Sequence, residues 1–273
     1  MSNLDKLISI RERLWNTSGF FSPSECLAEI SELENNCDAK ALDHREGAEI
    51  AYLRGYIYKR QHKYALSNDG YFKALKYNDK EPFLAADVVL NTRYALVTNY
   101  TELGQYAEAI DLIETILANS EPSSSISEDT IAIINGTLAF CLHEVGRFTD
   151  ALQVNKSVLA VEERLFGSKG YELKKVLTNI AQNYYELHRY DEAPNVLRRA
   201  LKLSEIHEDK DGINEFLFQL GVVAFEAGRY DEANEYLERA LQHAKQTEDP
   251  ILIERATRNI KTLSEKSCNK SGD

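Results

Sequence analysis

The chain has 273 residues, of which 43% are apolar and 28% are charged, so it can form a continuous core and does not have the composition of a disordered protein. No apolar run approaches the ~20 residues of a membrane helix, which predicts that the chain does not insert into a membrane. The net charge of −12 argues against a nucleic-acid partner, because binding to phosphates requires a basic face.

The N-terminal part, residues 1–46, carries two amphipathic helical patterns over residues 3–16 and 23–37. Ser22 followed by Pro23 is a helix start signal, since proline at the first helical position loses no hydrogen bond that the helix needs. We predict N-terminal capping helices or a degenerate repeat. The first residues lack the layout of a secretion signal, so a cytoplasmic location is expected.

A short phrase then recurs along the chain: an aromatic residue, two mostly polar residues and an alanine. The alanines are Ala109, Ala151, Ala193 and Ala233, at steps of 42, 42 and 40 residues, and Ser67 marks a weaker copy 42 residues before the first. Periods of this size predict stacked units of two helices, each of which buries its apolar face against its neighbours. Within residues 47–246 we predict five such repeats, at residues 47–80, 89–122, 131–166, 173–206 and 213–246.

Each repeat is predicted to turn between its two helices at a residue in the left-handed conformation. Gly104, Gly146 and Gly228 suit that conformation, whereas His188 stands in the fourth repeat, whose turn should be the least ideal. Pro194 falls three or four residues into a predicted helix, where its missing N–H costs nothing. Small residues should let the two helices of a repeat approach closely; they are Gly55, Ala139, Ala181 and Gly221.

The C-terminal part is predicted to close the array with one helix, at residues 247–266, followed by a disordered tail at residues 267–273. Asp249 and Pro250 mark the start of this helix. The side chains predicted to cover the last repeat are Ile251, Ile253, Ala256, Ile260 and Leu263.

Two repeats resemble the tetratricopeptide repeat closely. The matching residues are Leu177, Ile180, Ala181, Tyr184, Tyr190, Ala193, Leu197 and Ala200 in one, and Leu217, Leu220, Gly221, Ala224, Tyr230, Ala233, Leu237 and Ala240 in the next. The usual repeat has about 34 residues, and the longer period here is similar to that of the kinesin-light-chain-like subclass, although Thr178-Asn179 stands where that subclass has two asparagines. The resemblance implies an all-α fold, a right-handed superhelical solenoid of antiparallel helix pairs with about five repeats and a cap at each end.

The resemblance also implies a partner-binding groove lined by the first helix of each repeat. In this family the second, fifth, ninth and twelfth places of a repeat point into the groove, and aromatic residues fill seven of the twenty such places here, against 10% of the chain. The candidate groove residues are Tyr52, Tyr56, Lys59, Tyr94, Thr98, Phe140, His143, Thr178, Asn179, Gln182, Tyr185, Phe218 and Phe225. The alternative is that individual rings pack against neighbouring repeats.

A glutamate recurs at the thirteenth place of four repeats. This candidate acidic ladder, which could receive a basic partner, consists of Glu102, Glu144, Glu186 and Glu226. Exposed glutamates near helix ends are also ordinary surface residues.

The sequence contains no pattern that indicates catalysis, so we predict a protein that is not an enzyme and has no cofactor or metal. The four cysteines, Cys26, Cys37, Cys141 and Cys268, share no close spacing and are interpreted as separate thiols. The favoured function is an adaptor or scaffold that binds a peptide or partner protein in its concave groove. The alternatives are an acidic stoichiometric inhibitor or immunity-type protein that binds a basic toxin or effector, and a peptide-signal sensor. The oligomeric state stays open.

Overall fold

The computed structural model describes residues 2–15, 22–35, 43–82, 84–118 and 127–270, and every regular element in these ranges is an α-helix. The helices are α1 (Asn3–Trp15), α2 (Pro23–Asn35), α3 (His44–Arg60), α4 (Tyr64–Lys80), α5 (Ala86–Glu102), α6 (Tyr106–Ala118), α7 (Glu128–Glu144), α8 (Phe148–Phe166), α9 (Leu173–Glu186), α10 (Ala193–Ile206), α11 (Lys210–Glu226), α12 (Tyr230–Gln246) and α13 (Pro250–Lys270).

The helices group into two compact units. Unit 1 comprises residues 1–124 and contains α1 to α6, and unit 2 comprises residues 125–273 and contains α7 to α13. Helices α3 to α12 form successive pairs, and each pair packs together across a short turn. The prediction of an all-α helical-repeat fold is confirmed.

The turns within the pairs use the left-handed conformation that the glycines predicted. Gly104, Gly146 and Gly228 have φ of +71°, +77° and +77°. His188 adopts the same conformation at φ +55°, and His62 does so in the first pair at φ +56°. A side chain at such a position is strained, because its Cβ crowds the following carbonyl.

The two histidine turns share a local hydrogen bond that glycine could not make. His188 Nδ1 lies 2.7 Å from the hydroxyl of Tyr190, and His62 Nδ1 lies 2.8 Å from that of Tyr64. Tyr64 is the first residue of α4, whereas Tyr190 lies three residues before α10, and in each case the bond links the turn residue to the chain that follows it.

The first pair shows why small residues are needed between paired helices. A Cβ added to Gly55 would lie 2.7 Å from the ring of Tyr71, and one added to Gly70 would lie 2.6 Å from the backbone nitrogen of Gly55. Ser67, which replaces the repeated alanine, is buried and donates a hydrogen bond to the carbonyl of Gly55 at 2.7 Å. The serine therefore fits its place without an unpaired hydroxyl.

Pro194 is the second residue of α10, not three or four residues into the helix as the pattern predicted. Because proline has no N–H, the helix begins only at Ala193. The carbonyl of Tyr190 instead accepts a hydrogen bond from Arg229 Nη2 at 3.3 Å. The equivalent helices begin earlier in their repeats, at Tyr106, Phe148 and Tyr230.

Both ends of the array are covered by helices. In unit 1, Arg11 of α1 donates to Glu49 of α3 at 2.9 Å, and burial raises the pKa of this carboxyl although the guanidinium partly offsets the effect. In unit 2, α13 covers α12 with Leu252 and Ala256, whereas Ile251, expected to face the repeat, is 74% exposed. The helix continues to Lys270, four residues beyond the predicted cap; residues 271–273 and the side chain of Leu263 lie outside the described residues.

Two of the four cysteines can be placed. Cys26 and Cys141 are buried free thiols, and burial raises the pKa of both. Cys37 and the side chain of Cys268 lie outside the described residues.

Candidate partner-binding site

A pocket of about 520 Å³ lies in unit 2 along the first helices α7, α9 and α11. Six predicted groove residues line it: Phe140, His143, Asn179, Gln182, Tyr185 and Phe218. The sequence register therefore brings together side chains from three successive repeats. Other lining residues are Asn155, Asn183, Gln219 and Val222.

The rings of this pocket differ in their solvent exposure. Phe140 is 45% exposed, whereas Phe218 and Tyr185 are half-buried. Tyr185 packs edge-on against Tyr190 with 5.6 Å between ring centroids, and burial raises the pKa of its hydroxyl. The pocket thus offers apolar contact area on rings that lose little entropy on binding.

Two buried amides add polarity to the pocket, and neither was among the predicted groove residues. Asn183 Oδ1 lies 2.8 Å from His143 Nδ1, so the two side chains form a hydrogen-bonded pair. Asn155 Oδ1 and Asn183 Nδ2 have no hydrogen-bond partner among the described residues. A signal was present in the sequence, because Asn183 stands at helical spacing between the apolar residues Ile180 and Leu187.

Unit 1 contains a second pocket, of about 580 Å³, lined by four predicted residues: Tyr52, Tyr56, Lys59 and Thr98. Lys59 Nζ donates to Thr98 Oγ1, and burial lowers the pKa of the lysine. Burial raises the pKa of Tyr52 to about 12. Trp15 of α1 also lines this pocket and is stacked with Arg11, a contribution from the N-terminal helices that the repeat pattern could not indicate.

Three predicted groove residues lie outside these pockets. Tyr94 is half-buried on α5, and Thr178 donates to the carbonyl of Lys174 at 2.8 Å. Phe225 is 2% exposed, so its ring belongs to the core and not to the groove surface. It packs against Tyr230 at 5.2 Å, in a cluster that Ile260 of the closing helix joins.

The four glutamates of the predicted acidic ladder lie in different environments. Glu102 lines the unit 1 pocket and accepts a hydrogen bond from Tyr64 at 3.4 Å. Glu144 and Glu186 are exposed and line the unit 2 pocket. Glu226 is half-buried.

The described part of the chain contains no group of three or more His, Cys, Asp or Glu side chains arranged to hold a metal ion. Among the same residues, no helix combines the length and apolar character needed to cross a membrane.

Paired helices, left-handed turns and pockets along the first helices define a helical-repeat protein of the kind that presents binding surfaces to other proteins. Two family models, both described as tetratricopeptide repeat, match residues 130–206 and 178–250. Residues 130–250 of this chain thus match the tetratricopeptide repeat.

Solved structures share this fold at low sequence identity. BtubC (BKLC) from P. vanneervenii is 20% identical with a TM-score of 0.64, over 91% of this chain and 94% of that one. A putative kinesin light chain from Podosopora anserina, with nearly identical TPR-like repeats, is 17% identical with a TM-score of 0.60, over 76% and 99%. A Rap protein complexed with Competence and Sporulation Factor is 19% identical with a TM-score of 0.52, over 92% and 67%. The comparison with curated proteins gives no match.

Proposed function

We propose that the protein is a non-enzymatic adaptor or scaffold that binds a peptide, or an extended segment of a partner protein, in the unit 2 pocket. The supporting observation is the convergence of Phe140, Tyr185 and Phe218 from three repeats on one pocket that also contains amide side chains. A volume of about 520 Å³ is within the range of small-ligand sites and accommodates a few side chains of a bound segment.

The rings supply affinity, because aromatic side chains at the centre of an interface bury a large area at low entropic cost. The polar groups supply orientation. Tetratricopeptide repeats act generally as interaction modules, which agrees with a binding function that needs no chemistry.

A direct test starts from a displayed library of random peptides selected on the intact protein. The affinity of the selected peptide is then measured by calorimetry for the wild type and for Phe140→Ala and Tyr185→Ala. We expect each substitution to weaken binding roughly tenfold or more, the effect typical of a central aromatic contact.

The matched control is Phe166→Ala, because Phe166 belongs to the same unit and is 43% exposed, close to the 45% of Phe140, but does not line the pocket. Binding should be unchanged in this variant. Equal losses in Phe140→Ala and Phe166→Ala, or no loss in either pocket variant, would contradict the proposed site.

A second candidate function is an acidic inhibitor or immunity-type protein, which the position of Glu144 and Glu186 at the same pocket favours. In that case a basic toxin or effector would be the partner, and affinity should fall steeply with salt. Glu144→Gln and Glu186→Gln would then weaken binding more than removal of the rings does.

A third candidate, a peptide-signal sensor, draws on the fold that this chain shares with the Rap protein complexed with Competence and Sporulation Factor. At 19% identity this likeness concerns the fold alone. The peptide selected above, compared with candidate signals, would distinguish a sensor from an adaptor.

A further inference from the structure

Two buried asparagines at the same place in different repeats differ in their hydrogen-bond partners. Asn99 and Asn183 occupy the same place in the repeat, 84 residues apart, and both are 0% exposed. In unit 1, Asn99 Nδ2 donates to Ser67 Oγ and to Asn68 Oδ1, each at 2.8 Å. The donor end of this amide is therefore fully used within the protein.

The equivalent partners are missing in unit 2. Two repeats after Ser67 and Asn68, the chain has Ala151 and Leu152, whose side chains carry no polar atom. As a result, Asn183 Nδ2 has no hydrogen-bond partner within the described ranges. Leaving a buried donor unpaired is costly to the folded protein, and such groups are few in native structures.

A second amide in the same pocket has an unpaired acceptor instead of an unpaired donor. Asn155 is 2% exposed, and its Oδ1, an acceptor, has no partner among the residues described. Asn155 and Asn183 both line the unit 2 pocket, together with Phe140, Tyr185 and Phe218. One pocket thus contains a spare buried donor and a spare buried acceptor.

On the basis of the proposed function, we propose that Asn155 and Asn183 form a recognition site for a side-chain carboxamide, that of a glutamine or asparagine in the bound segment. Asn183 Nδ2 donates to the carboxamide oxygen of the ligand, and the ligand amide donates to Asn155 Oδ1. Phe140, Tyr185 and Phe218 contact the methylene groups and the neighbouring residues of the ligand.

Other polar groups fit this pair less well. A carboxylate has no proton for Asn155 Oδ1, and it would meet Glu144 and Glu186 in the same pocket. A trans main-chain amide carries its N–H and C=O on opposite sides, so one such group cannot serve both asparagines at once. A primary carboxamide presents an N–H and its oxygen on the same side.

The binding test uses three peptides, acetyl-Leu-X-Leu-N-methylamide with X as Gln, Glu or Met, so that the only primary carboxamide belongs to the central glutamine. Dissociation constants are measured by NMR titration of the intact protein. We expect the Gln peptide to bind roughly tenfold more tightly than the Met or Glu peptide, the effect of about one net hydrogen bond. Asn155→Leu and Asn183→Leu should reduce this preference to about twofold or less.

The outcomes separate this inference from the function on which it rests. Equal affinities for the three peptides, with binding still lost in Phe140→Ala, would overturn the carboxamide site and leave the groove function standing. Failure of all three peptides to bind would also overturn the site, whereas the groove function is judged on the peptide selected from the library.

A stability measurement tests the same inference without any ligand. Asn99→Leu removes two hydrogen bonds made by the amide donor, whereas Asn183→Leu removes an unpaired donor and one hydrogen bond, that between Oδ1 and His143, so it should lower the melting temperature less than Asn99→Leu does. Equal destabilisation by the two substitutions would show that Asn183 has a structural role and would overturn the proposal.

Discussion

Gly70 provides the sharpest test of how the repeats pack. It lies inside α4, where an alanine would ordinarily stabilise the helix by about 1 kcal/mol. Here an added Cβ would lie 2.6 Å from the nitrogen of Gly55 and 2.8 Å from the carbonyl oxygen of Ala51. Both contacts are backbone atoms, which cannot rotate away, so α3 and α4 must separate.

The expected magnitude follows from these two opposing effects. Overpacking a close-packed core costs about 1–3 kcal/mol, and contacts with backbone on both sides place Gly70→Ala at the upper end of that range. After the gain in helix propensity, we expect a net loss of about 2 kcal/mol. This corresponds to a fall in the melting temperature of roughly 8 °C for a unit of this size.

The assay is thermal unfolding followed by circular dichroism and calorimetry, with Gly136→Ala as the matched control. Gly136 is also inside a helix, α7, but a Cβ there would meet nothing within 4 Å. Alanine should therefore stabilise the protein by about 0.5–1 kcal/mol. If Gly70→Ala were as stable as the wild type, the close approach of α3 and α4 would be refuted.

Two further predictions concern a turn and a helix start. His188→Gly should stabilise the protein by about 0.5–1 kcal/mol, because glycine tolerates φ +55° and this gain exceeds the loss of the exposed bond to Tyr190; a lower melting temperature would contradict it. Asp209→Ala should cost about 1–2 kcal/mol in urea unfolding, because Asp209 caps α11 by accepting from the N–H of Gly212 and also pairs with Lys174. Burial alone would raise the pKa of Asp209, but the hydrogen bonds from Lys174 and Gly212 leave it below 3.8. The contribution of Asp209 to the free energy of unfolding is thus present above pH 3.8 and is lost as the pH falls through the lowered pKa. The stabilities of the wild type and Asp209→Ala should therefore converge in acid. A difference in stability that does not change with pH would count against this pairing.

The repeat architecture could be predicted because it depends on local patterns that recur. A glycine at each turn and an alanine at each close helix contact are needed wherever the two-helix unit is built, so Gly146 and Ala151 were enough to indicate the unit in which they occur. Predicted groove places also gathered in the unit 2 pocket, since residues at one place in successive repeats lie along one face.

Two of the failures arise where a repeat packs against a helix that is not part of a repeat. Phe225 occupies a groove place by register, yet Ile260 of the closing helix joins the cluster in which its ring is buried. Trp15 reaches the unit 1 pocket from a helix outside the repeat pattern. Neither contact recurs from one repeat to the next, so the repeat pattern alone could not have indicated either of them.

The asparagines show a deeper limit of sequence reasoning. Asn99 and Asn183 are the same residue at the same place in the repeat, but only Asn99 donates from its amide nitrogen to the preceding helix. Whether such an amide is structural or available for binding depends on the residue at the facing position of the preceding helix. This residue is Ser67 for Asn99 and Ala151 for Asn183. In a repeat protein, a donor that is paired in one copy is left unpaired in another once its partner changes, because the backbone that positions it is maintained by the rest of the repeat.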